Sequence, residues 1–564
     1  MSPDSWSTSG EGHPRRWAIL GVLVVSLLIT VLDNTVLNIA LPTIQKDLKA
    51  SPAQLVWSID SYILVFAALL FTWGVLGDRY GRKRVLVIGL VIFGLGSAAS
   101  AFASTPEMLI GFRAIMGLGG AAVMPTTLAI ITVVFPPYER GKAIGAWAGA
   151  VGASVALGQV LGGLLLENPQ WSSWITGNDW GAVFLINVPI VIVGLIGVWH
   201  IVPETRNPKP QRLDIPGLVL SIVGLTLIVY GIIDASRTLR WVAPSVLGPL
   251  LAGIVIIALF IWYESRSDNA SFDVTLFKNR GYAVSLAAVT LAFFSLSGIT
   301  FTLPFYLQIL RDYSTLVAGL CFLPFAVGQL IAAPRSAKAV MRFGYRAVMT
   351  TGLVLVALSM ASVIFVGIST PLWVILVAFF IFGFGTGNVM APASTVMQNV
   401  LPLARAGAGS AVQNTVRQVG GALGVAISGT VLATQYSSRV DGAIGQLPPQ
   451  IPDAAREAAR ESIVATDAVL DAAAAQGAPS GLLDSIRQAA YDAFLTSSHV
   501  TYLTSMVLVA VAAIVVVTLL PRINPPRKDS PVQPDSPIDD RVAIQDAVYP
   551  EEATAEEGTA RPPA

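Results

Sequence analysis

The sequence predicts an all-α membrane protein that crosses a lipid bilayer many times, and three observations support this prediction. Of the 564 residues, 54% are hydrophobic and only 12% are charged, and the mean hydropathy is +0.68, well outside the usual composition of a soluble globular protein. Apolar runs of about 20 residues recur along the chain, each long enough as a helix to cross a ~30 Å hydrocarbon core. Lysines and arginines concentrate in alternate connections between these runs.

The apolar runs predict fourteen membrane-spanning helices. The first run extends past the length of a signal peptide and lacks a small-residue cleavage site before the second, so it is expected to stay in the protein. The predicted spans are 17–41, 54–76, 84–104, 107–135, 141–166, 180–201, 214–234, 243–262, 282–306, 314–334, 345–367, 371–398, 406–433 and 498–520.

The basic residues predict the orientation. If the amino terminus is inside, the inner connections hold 17 Lys and Arg residues and the short outer ones hold 5, which by the positive-inside rule places both termini in the cytoplasm. A net charge of +1 gives no support for nucleic-acid binding, and one cysteine with three scattered histidines gives none for a disulfide or a metal site. The Ala-rich segment 435–497 predicts an outer helical hairpin or, more plainly, a solvated flap, and the tail 521–564 is expected to be disordered.

The stretch ITVLDNTVLNIALP gives the first predicted span a narrow polar stripe that includes Asp33, Asn34 and Asn38. Asp33 lies ~13 Å from the outer end of the first predicted span, and Asp60, in WSIDSYIL, lies ~9 Å from the outer end of the second. A carboxyl group buried in a low-dielectric environment can take up a proton near neutral pH, which suits a proton-driven exchanger. A helix-packing hydrogen bond is the alternative for Asp33, and a hydrated position is the alternative for Asp60.

Two arginines also interrupt apolar helices. Arg113 lies in LIGFRAIMGLGG, and Arg417 lies about eleven residues into the thirteenth predicted span, where an unpaired charge costs ~2.5 kcal/mol or more. A partner or a water-filled space is therefore expected around each. The aromatic residues Trp57, Tyr62 and Phe301 would suit flat lipophilic cations, although such side chains more often pack against helices or face lipid.

The connection GVLGDRYGRKR, between the second and third predicted spans, has an ordered set of glycines and charges. Its key residues are Gly74, Asp78, Arg79, Gly81, Arg82 and Lys83. Taken alone, they are consistent with an anchored inner loop. Their spacing resembles the signature of the major facilitator superfamily at every key position. The resemblance implies a conformational latch, in which the acid and the arginines bind neighbouring helix ends in one state.

The fifth predicted span reads GASVALGQVLGGLLLE, and its Gly158, Gly162 and Gly163 allow close helix packing. These glycines resemble the antiporter motif of the superfamily. Gln159 stands where that motif has a proline, and Ser154 stands where it has a glycine. These departures weaken the case for a proline-induced kink and, mildly, for the antiport direction that the motif implies.

Longer stretches, among them LDNTVLNIALPTI, FLINVP and AGAGSAVQNTVRQVGGALGVAI, resemble the fourteen-helix drug:proton antiporter branch, the QacA/EmrB-like multidrug efflux pumps. This resemblance covers most of the chain and implies a 6+2+6 major facilitator fold. It implies proton coupling by Asp33, Asp60 and Arg113. At the positions where related pumps carry further membrane acids, this chain has Gln329, Gln413 and Arg417. The expected division is a tail 1–16, a six-helix bundle 17–201, two inserted helices 214–262, a second six-helix bundle 282–520 and a tail 521–564.

These observations favour a proton-coupled antiporter that exports lipophilic, mainly cationic drugs or dyes by alternating access. No cofactor beyond the proton gradient is expected. The expected partners are the lipid bilayer, lipophilic small molecules and protons, with a monomeric protein in a bacterial cytoplasmic membrane. Export of an endogenous metabolite, antibiotic or lipid is the alternative on the same fold. An intramembrane enzyme would need clustered acids for a metal-phosphate site, and a channel would need a filter or pore helix. The residues assigned to substrate are Asp33, Asn34, Asn38, Trp57, Asp60, Tyr62, Phe301, Gln329, Gln413 and Arg417.

Overall fold

The computed structural model describes residues 12–48, 50, 52–206, 214–238, 240–266, 274–401 and 406–523, and this part of the chain is helical with no strand. The predicted disordered tail lies almost wholly outside the described residues. The longer helices are α1 (Arg16–Leu48), α2 (Pro52–Tyr80), α3 (Arg82–Ala101), α4 (Pro106–Val134), α5 (Pro137–Glu167), α6 (Asn187–Ile201), α7 (Ile215–Thr238), α8 (Pro244–Glu264), α9 (Arg280–Phe305), α10 (Leu323–Val363), α11 (Leu372–Val400), α12 (Ala406–Ile444), α13 (Asp453–Glu461), α14 (Ile463–Ala475) and α15 (Ser480–Leu519).

Twelve helices of the described chain are long and apolar enough to cross a membrane. One of them, Leu316–Val363, has 48 residues, which is too long for a single crossing. It contains a break at Gly344, where φ is 81° and ψ is 162°. The 31-residue α5 is not among the twelve. The span Leu316–Val363 contains α10, so dividing it at Gly344 and adding α5 would give fourteen membrane-spanning helices. The count of fourteen stays a prediction, as does the division into two six-helix bundles.

Helix α4 lies at the centre of the N-terminal helices α1–α6, and 83% of an 18-residue apolar stretch within it is buried. It begins at the cap Thr105, whose side chain accepts a hydrogen bond from the Met108 backbone N–H. Small residues bring its neighbours close, because a Cβ at Gly117 would lie 2.6 Å from the Tyr62 carbonyl oxygen and one at Gly119 would meet the Phe93 backbone. The glycine-rich run therefore packs α4 tightly against α2 and α3.

Helix α5 packs between the N-terminal and the C-terminal helices. A Cβ at Gly145 would overlap the Ala333 carbonyl oxygen of α10, and one at Gly149 would lie 3.5 Å from Leu330. On another part of α5, a Cβ at Gly158 would overlap Thr35 of α1. A Cβ at Gly145 or Gly158 would force its neighbour to move, so these glycines let α5 pack closely against both groups of helices.

The helices α7 and α8 pack against each other and against α2, and α7 also contacts α12. The rings of Phe71 and Phe260 lie 5.6 Å apart, and Trp241, after α7, donates a hydrogen bond of 2.9 Å to Thr430 of α12. Only 17% of an 18-residue apolar stretch of α8 is buried. In a bilayer, most of α8 would therefore face lipid.

The segment 435–497 differs from a simple helical hairpin. Its first residues continue α12 as far as Ile444, α13 and α14 follow, and its last residues already belong to α15. The Tyr436 and Thr466 hydroxyls lie 2.6 Å apart, and Arg487 donates to Asp467 at 3.1 Å. Burial raises the pKa of the Asp467 carboxyl, although Arg487 opposes the shift. Packing and polar contacts thus hold the segment against the ends of α12 and α15.

Candidate functional site

A buried ion pair joins α1 to α4. Asp33 and Arg113 are 1% and 0% exposed, and one Arg113 nitrogen donates to Asp33 Oδ2. Arg113 Nε also donates to the Ser58 carbonyl oxygen of α2 at 3.1 Å. The guanidinium lies 4.5 Å from the centre of the Tyr62 ring. Arg113 therefore connects three helices through one side chain, and the polar stripe of α1 faces the protein interior at Asp33.

The second oxygen of Asp33 is also occupied. Asn187 Nδ2, at the start of α6, donates to Asp33 Oδ1 at 3.0 Å and lies equally far from Ser97 Oγ. Ser97 donates in turn to the Phe184 carbonyl oxygen at 2.8 Å. This chain of hydrogen bonds extends the ion pair to α3 and α6. A buried charged pair is held most firmly where its remaining lone pairs are satisfied in this way.

Sequence reasoning did not assign Asn187 or Ser97. Asn187 lies within FLINVP, at the beginning of an apolar helix. An amide buried in such a helix requires a partner, so its residue type was a usable signal. Ser97 gives no comparable signal, because a serine in a membrane helix can satisfy its own hydroxyl with a carbonyl one turn earlier.

The second predicted acid lies in a less enclosed position. Asp60 is half-buried on α2, two residues after Ser58, whose carbonyl oxygen binds Arg113. Trp57 is also half-buried, and its ring lies 6.3 Å from that of Tyr230 on α7. Tyr62 is fully buried. On this part of α2, the Asp60 carboxyl group and the Trp57 ring thus lie between the Asp33–Arg113 ion pair and the helices α7 and α8. The side chains of Asn34 and Asn38 lie outside the described residues.

The second buried arginine has different surroundings. Arg417 on α12 is 2% exposed, and its guanidinium lies 4.9 Å from the Phe293 ring centre and 6.0 Å from that of Trp147. One of its terminal nitrogens contacts the Met124 sulfur. Trp147 and Met124 belong to α5 and α4, whereas Phe293 belongs to α9. The arginine is therefore enclosed by helices from both parts of the chain.

The two predicted glutamines bind helix backbone or other uncharged side chains. Gln329 of α10 donates to the Ala148 carbonyl oxygen of α5 at 3.0 Å, and its own carbonyl oxygen is buried without a hydrogen-bond partner. Gln413 donates to Ser394 at 2.5 Å and accepts from Gln398 at 3.4 Å. Both residues lie within the interior, Gln329 at the contact between α5 and α10.

Phe301 lies apart from these groups. It is half-buried on α9, and its ring lies 5.7 Å from the ring of Phe305 in an edge-on arrangement. A Cβ at Gly429 of α12 would lie 3.5 Å from it. These contacts describe packing between α9 and α12.

The predicted latch binds the end of α6. Arg82 donates twice to Asp78 Oδ1, at 2.9 and 2.7 Å, and both side chains are buried. The Arg82 backbone N–H donates to the Thr205 carbonyl oxygen at 2.9 Å. Lys83 Nζ donates to the Trp199 carbonyl oxygen at 2.8 Å. The loop thus joins the α2–α3 turn to α6 and the chain after it through the Arg82 backbone and the Lys83 side chain, while Asp78 holds Arg82 in place.

The remaining latch residues lie around this turn. Gly81 has a φ of 111°, and a Cβ there would lie 2.5 Å from Glu204 Oε1, which accepts from the Lys83 backbone N–H at 3.1 Å. The Arg79 guanidinium lies 5.5 Å from the Tyr80 ring centre. Gly74 is buried in α2. The turn therefore requires glycine at position 81.

The glycines of the α5 motif are buried. Gly158 allows Thr35 of α1 to approach, and a Cβ at Gly163 would lie 3.4 Å from Leu316. Gly162 is buried on the same helix. The side chain of Gln159 lies outside the described residues.

Long apolar helices around buried charged and polar groups define a membrane transporter of many spans, and comparison with known proteins agrees. The chain belongs to the Major Facilitator Superfamily, whose family model matches residues 23–425. It is 36% identical over 517 residues to the multidrug efflux pump LfrA of Mycolicibacterium smegmatis, covering 90% of this chain and 99% of that pump. It is 35% identical to the puromycin resistance protein pur8 of Streptomyces alboniger, covering 74% of this chain and 82% of that protein.

A further relative is the methyl viologen resistance protein SmvA of Salmonella typhimurium, 32% identical over 76% of this chain and 84% of that protein. Among solved structures, the proton:xylose symporter XylE aligns with a TM-score of 0.57 and 13% identity, covering 90% of this chain and 96% of the symporter. At this identity the likeness concerns the fold alone. The superfamily assignment and the facilitator fold predicted from the sequence are thus confirmed.

Proposed function

We propose that the protein exports lipophilic drugs and dyes, mainly cationic ones, in exchange for protons. The observation that carries this proposal is the fully buried Asp33–Arg113 pair, which connects α1, α2 and α4. The similarity to LfrA, pur8 and SmvA supports the cargo class. Asp60, with the neighbouring aromatic ring of Trp57, would supply a carboxylate and a ring face to a flat cation.

The ion pair can couple a proton to a change in packing. While Asp33 is ionised, the pair is neutral and ties α1 to α4. A proton on Asp33 removes its charge and leaves Arg113 with the Ser58 carbonyl oxygen and the Tyr62 ring. Breaking a buried pair costs about 3–5 kcal/mol, which is roughly two to four powers of ten in an equilibrium between two packings. Proton binding would therefore favour a different arrangement of these helices.

The direction and setting belong to the same proposal. Both termini lie in the cytoplasm of a bacterium, the protein acts as a monomer in the cytoplasmic membrane, and protons enter as the substrate leaves. The excess of basic residues in alternate connections supports this orientation. Alternating access moves α1–α6 against α9–α12 and α15, with the latch holding one of the two states.

Ethidium efflux from energised cells tests the proposal. Cells that produce the intact protein should extrude ethidium, and a protonophore should stop the extrusion. Asp33→Asn should reduce the rate to that of cells without the protein, because the amide cannot exchange a proton. Asp47→Asn is a matched control, since Asp47 is an exposed acid on the same helix, and it should keep the rate within about twofold. Efflux by Asp33→Asn that still responds to the protonophore would contradict the role of Asp33.

Export of a specific cell-made metabolite, antibiotic or lipid is the second candidate. The buried Arg417 favours it, because a guanidinium enclosed by rings suits an uncharged, anionic or zwitterionic compound better than a dication. A correctly inserted protein that moves no dye would make this candidate the leading one.

A further inference from the structure

Arg417 is a cation enclosed by helices from both parts of the chain. It is 2% exposed, and among the described residues it forms no ion pair with an acid. Its Nε is buried without a hydrogen-bond partner. The rings of Phe293 and Trp147 and the sulfur of Met124 lie against its guanidinium. By contrast, Arg113 has a carboxylate, a carbonyl oxygen and a ring.

Aromatic rings alone do not replace an anion. A guanidinium in an apolar interior requires hydrogen-bond acceptors, and leaving its donors unmet is costly. Cation–π contacts compensate only in part, and a thioether is a weak acceptor. Arg417 therefore keeps hydrogen-bond donors that an anionic oxygen from outside the chain could satisfy.

The residues next to Arg417 do not supply such an anion. Gln413 lies one helical turn earlier, on the same face of α12. Its amide is already engaged by Ser394 and Gln398. Asn414, also near by in sequence, donates to the Ser410 carbonyl oxygen. Gln413 is thus engaged with side chains of α11, Asn414 donates to its own helix backbone, and the guanidinium is left as an available donor.

The surroundings also indicate the shape of the ligand. Trp147 and Met124 come from the N-terminal helices, whereas Phe293 and Arg417 come from the C-terminal helices. A flat aromatic ligand could lie against the two rings while its anionic oxygen binds the guanidinium. Because the site needs residues from both groups of helices, it would form when the two groups meet and be lost when they separate.

We propose that Arg417, with Trp147 and Phe293, binds the carboxylate or phenolate of a planar aromatic substrate. This inference rests on the proposed export function and extends its cargo from cations to zwitterions and anions. In this arrangement Asp60 serves cationic groups, Arg417 serves the anionic group, and Asp33 remains the group that takes the proton.

Two dyes that differ by one carboxylate test this proposal. Rhodamine B is a zwitterion with a free carboxylate, and its ethyl ester is a cation with the same ring system. Binding of each dye to full-length protein in detergent is measured by fluorescence polarisation, and transport is measured in proteoliposomes with a proton gradient. The variants are Arg417→Gln and Arg417→Lys. Arg311→Gln is the matched control, because Arg311 binds backbone carbonyl oxygens and tyrosines away from this site.

Arg417→Gln should weaken binding of rhodamine B about tenfold or more and change binding of the ester by less than about threefold, because a charge-assisted hydrogen bond is lost only for the acid. Arg417→Lys should retain much of the preference for the acid. Arg311→Gln should leave the ratio of the two affinities unchanged. An equal loss for both dyes in Arg417→Gln would overturn the proposal and assign Arg417 to packing.

The two proposals fail in different ways. If the intact protein transports ethidium and the ester but neither binds nor transports rhodamine B, the anion site is wrong and drug export stands. If it transports no dye yet binds rhodamine B through Arg417, the anion site stands and the export of cationic drugs is wrong.

Discussion

Arg113 combines a carboxylate, a backbone carbonyl oxygen and an aromatic ring in one fully buried position. A charge so enclosed is tolerated because its partner is equally buried and because Asn187 satisfies the other carboxylate oxygen. The stabilisation belongs to the pair rather than to either residue. Removing one member leaves a buried charge that the protein cannot hydrate.

Double substitution of the pair tests this coupling. Arg113→Gln alone should lower stability by about 3–5 kcal/mol, because Asp33 loses its counter-ion. The double variant Asp33→Asn with Arg113→Gln should be more stable than Arg113→Gln, since no buried charge is left. The apparent melting temperature of the detergent-solubilised protein measures both.

The control for this cycle is Arg16→Gln. Arg16 binds Glu139 at 2.6 Å, but their side chains are 22% and 24% exposed, so its loss should cost only ~0–1 kcal/mol. A double variant whose melting temperature falls by the sum of the two single effects would show that the pair is not coupled.

Single residues also show how far the sequence could predict the site. The polar stripe placed Asp33 inside the protein, because a lone acid in an apolar helix costs too much to face lipid. Asn187 was not assigned, although the same argument applied to its amide. The stacking of Arg113 on Tyr62 could not be predicted, because the rotation of α2 relative to α4 is determined by tertiary packing at Gly117.

At the scale of helices and turns, the α2–α3 turn depends on backbone geometry. Gly81 combines a φ of 111° with close approach of the Glu204 carboxylate, and the same carboxylate accepts from the Lys83 N–H. An alanine at this position would strain the backbone and displace Glu204. The turn would then lose its hold on the end of α6.

Gly81→Ala should therefore impair both stability and transport. The strained backbone should cost about 1–3 kcal/mol, and ethidium efflux should fall severalfold as the contact with α6 loosens. Gly177→Ala is the matched control, since Gly177 also has a positive φ, 73°, but an added Cβ meets nothing within 4 Å. It should lose about 1–2 kcal/mol at most and keep normal efflux. Normal efflux in Gly81→Ala would contradict a role of this turn in transport.

The sequence predicts the bounds of a helix better where the length of an apolar run determines them than where polar residues continue the helix. The break at Gly344 agrees with the predicted division between two spans at this point. The continuation of α12 to Ile444 was not predicted, because the helix leaves the apolar run and is held by packing with α13. Polar residues past a membrane span give no periodic signal strong enough to place its end.

Across the whole molecule, the N-terminal and C-terminal helices meet near the beginning of α5. Arg140 donates to the Asn399 side chain of α11 at 3.3 Å, and Thr132 donates to Gln398 at 3.2 Å. Two uncharged acceptors on α11 thus face α4 and α5. These bonds are few and neutral at their acceptors, so they can break without leaving a buried unpaired acid.

If export proceeds by alternating access, this contact must open in each cycle, and a covalent link across it should stop transport. The test uses Arg140→Cys with Asn399→Cys in a Cys321→Ala background, because Cys321 is the single cysteine of the chain. A short thiol-reactive crosslinker that contains a disulfide should abolish ethidium efflux, and reduction should restore it. The matched pair is Arg16→Cys with Glu139→Cys, at the same end of the molecule but within the N-terminal helices. Its crosslink should leave efflux nearly unchanged, since α1 and α5 move together. Full efflux with the Arg140–Asn399 positions linked in most molecules would mean that the two groups of helices do not separate there, and the site at Arg417 would then have to open in another way.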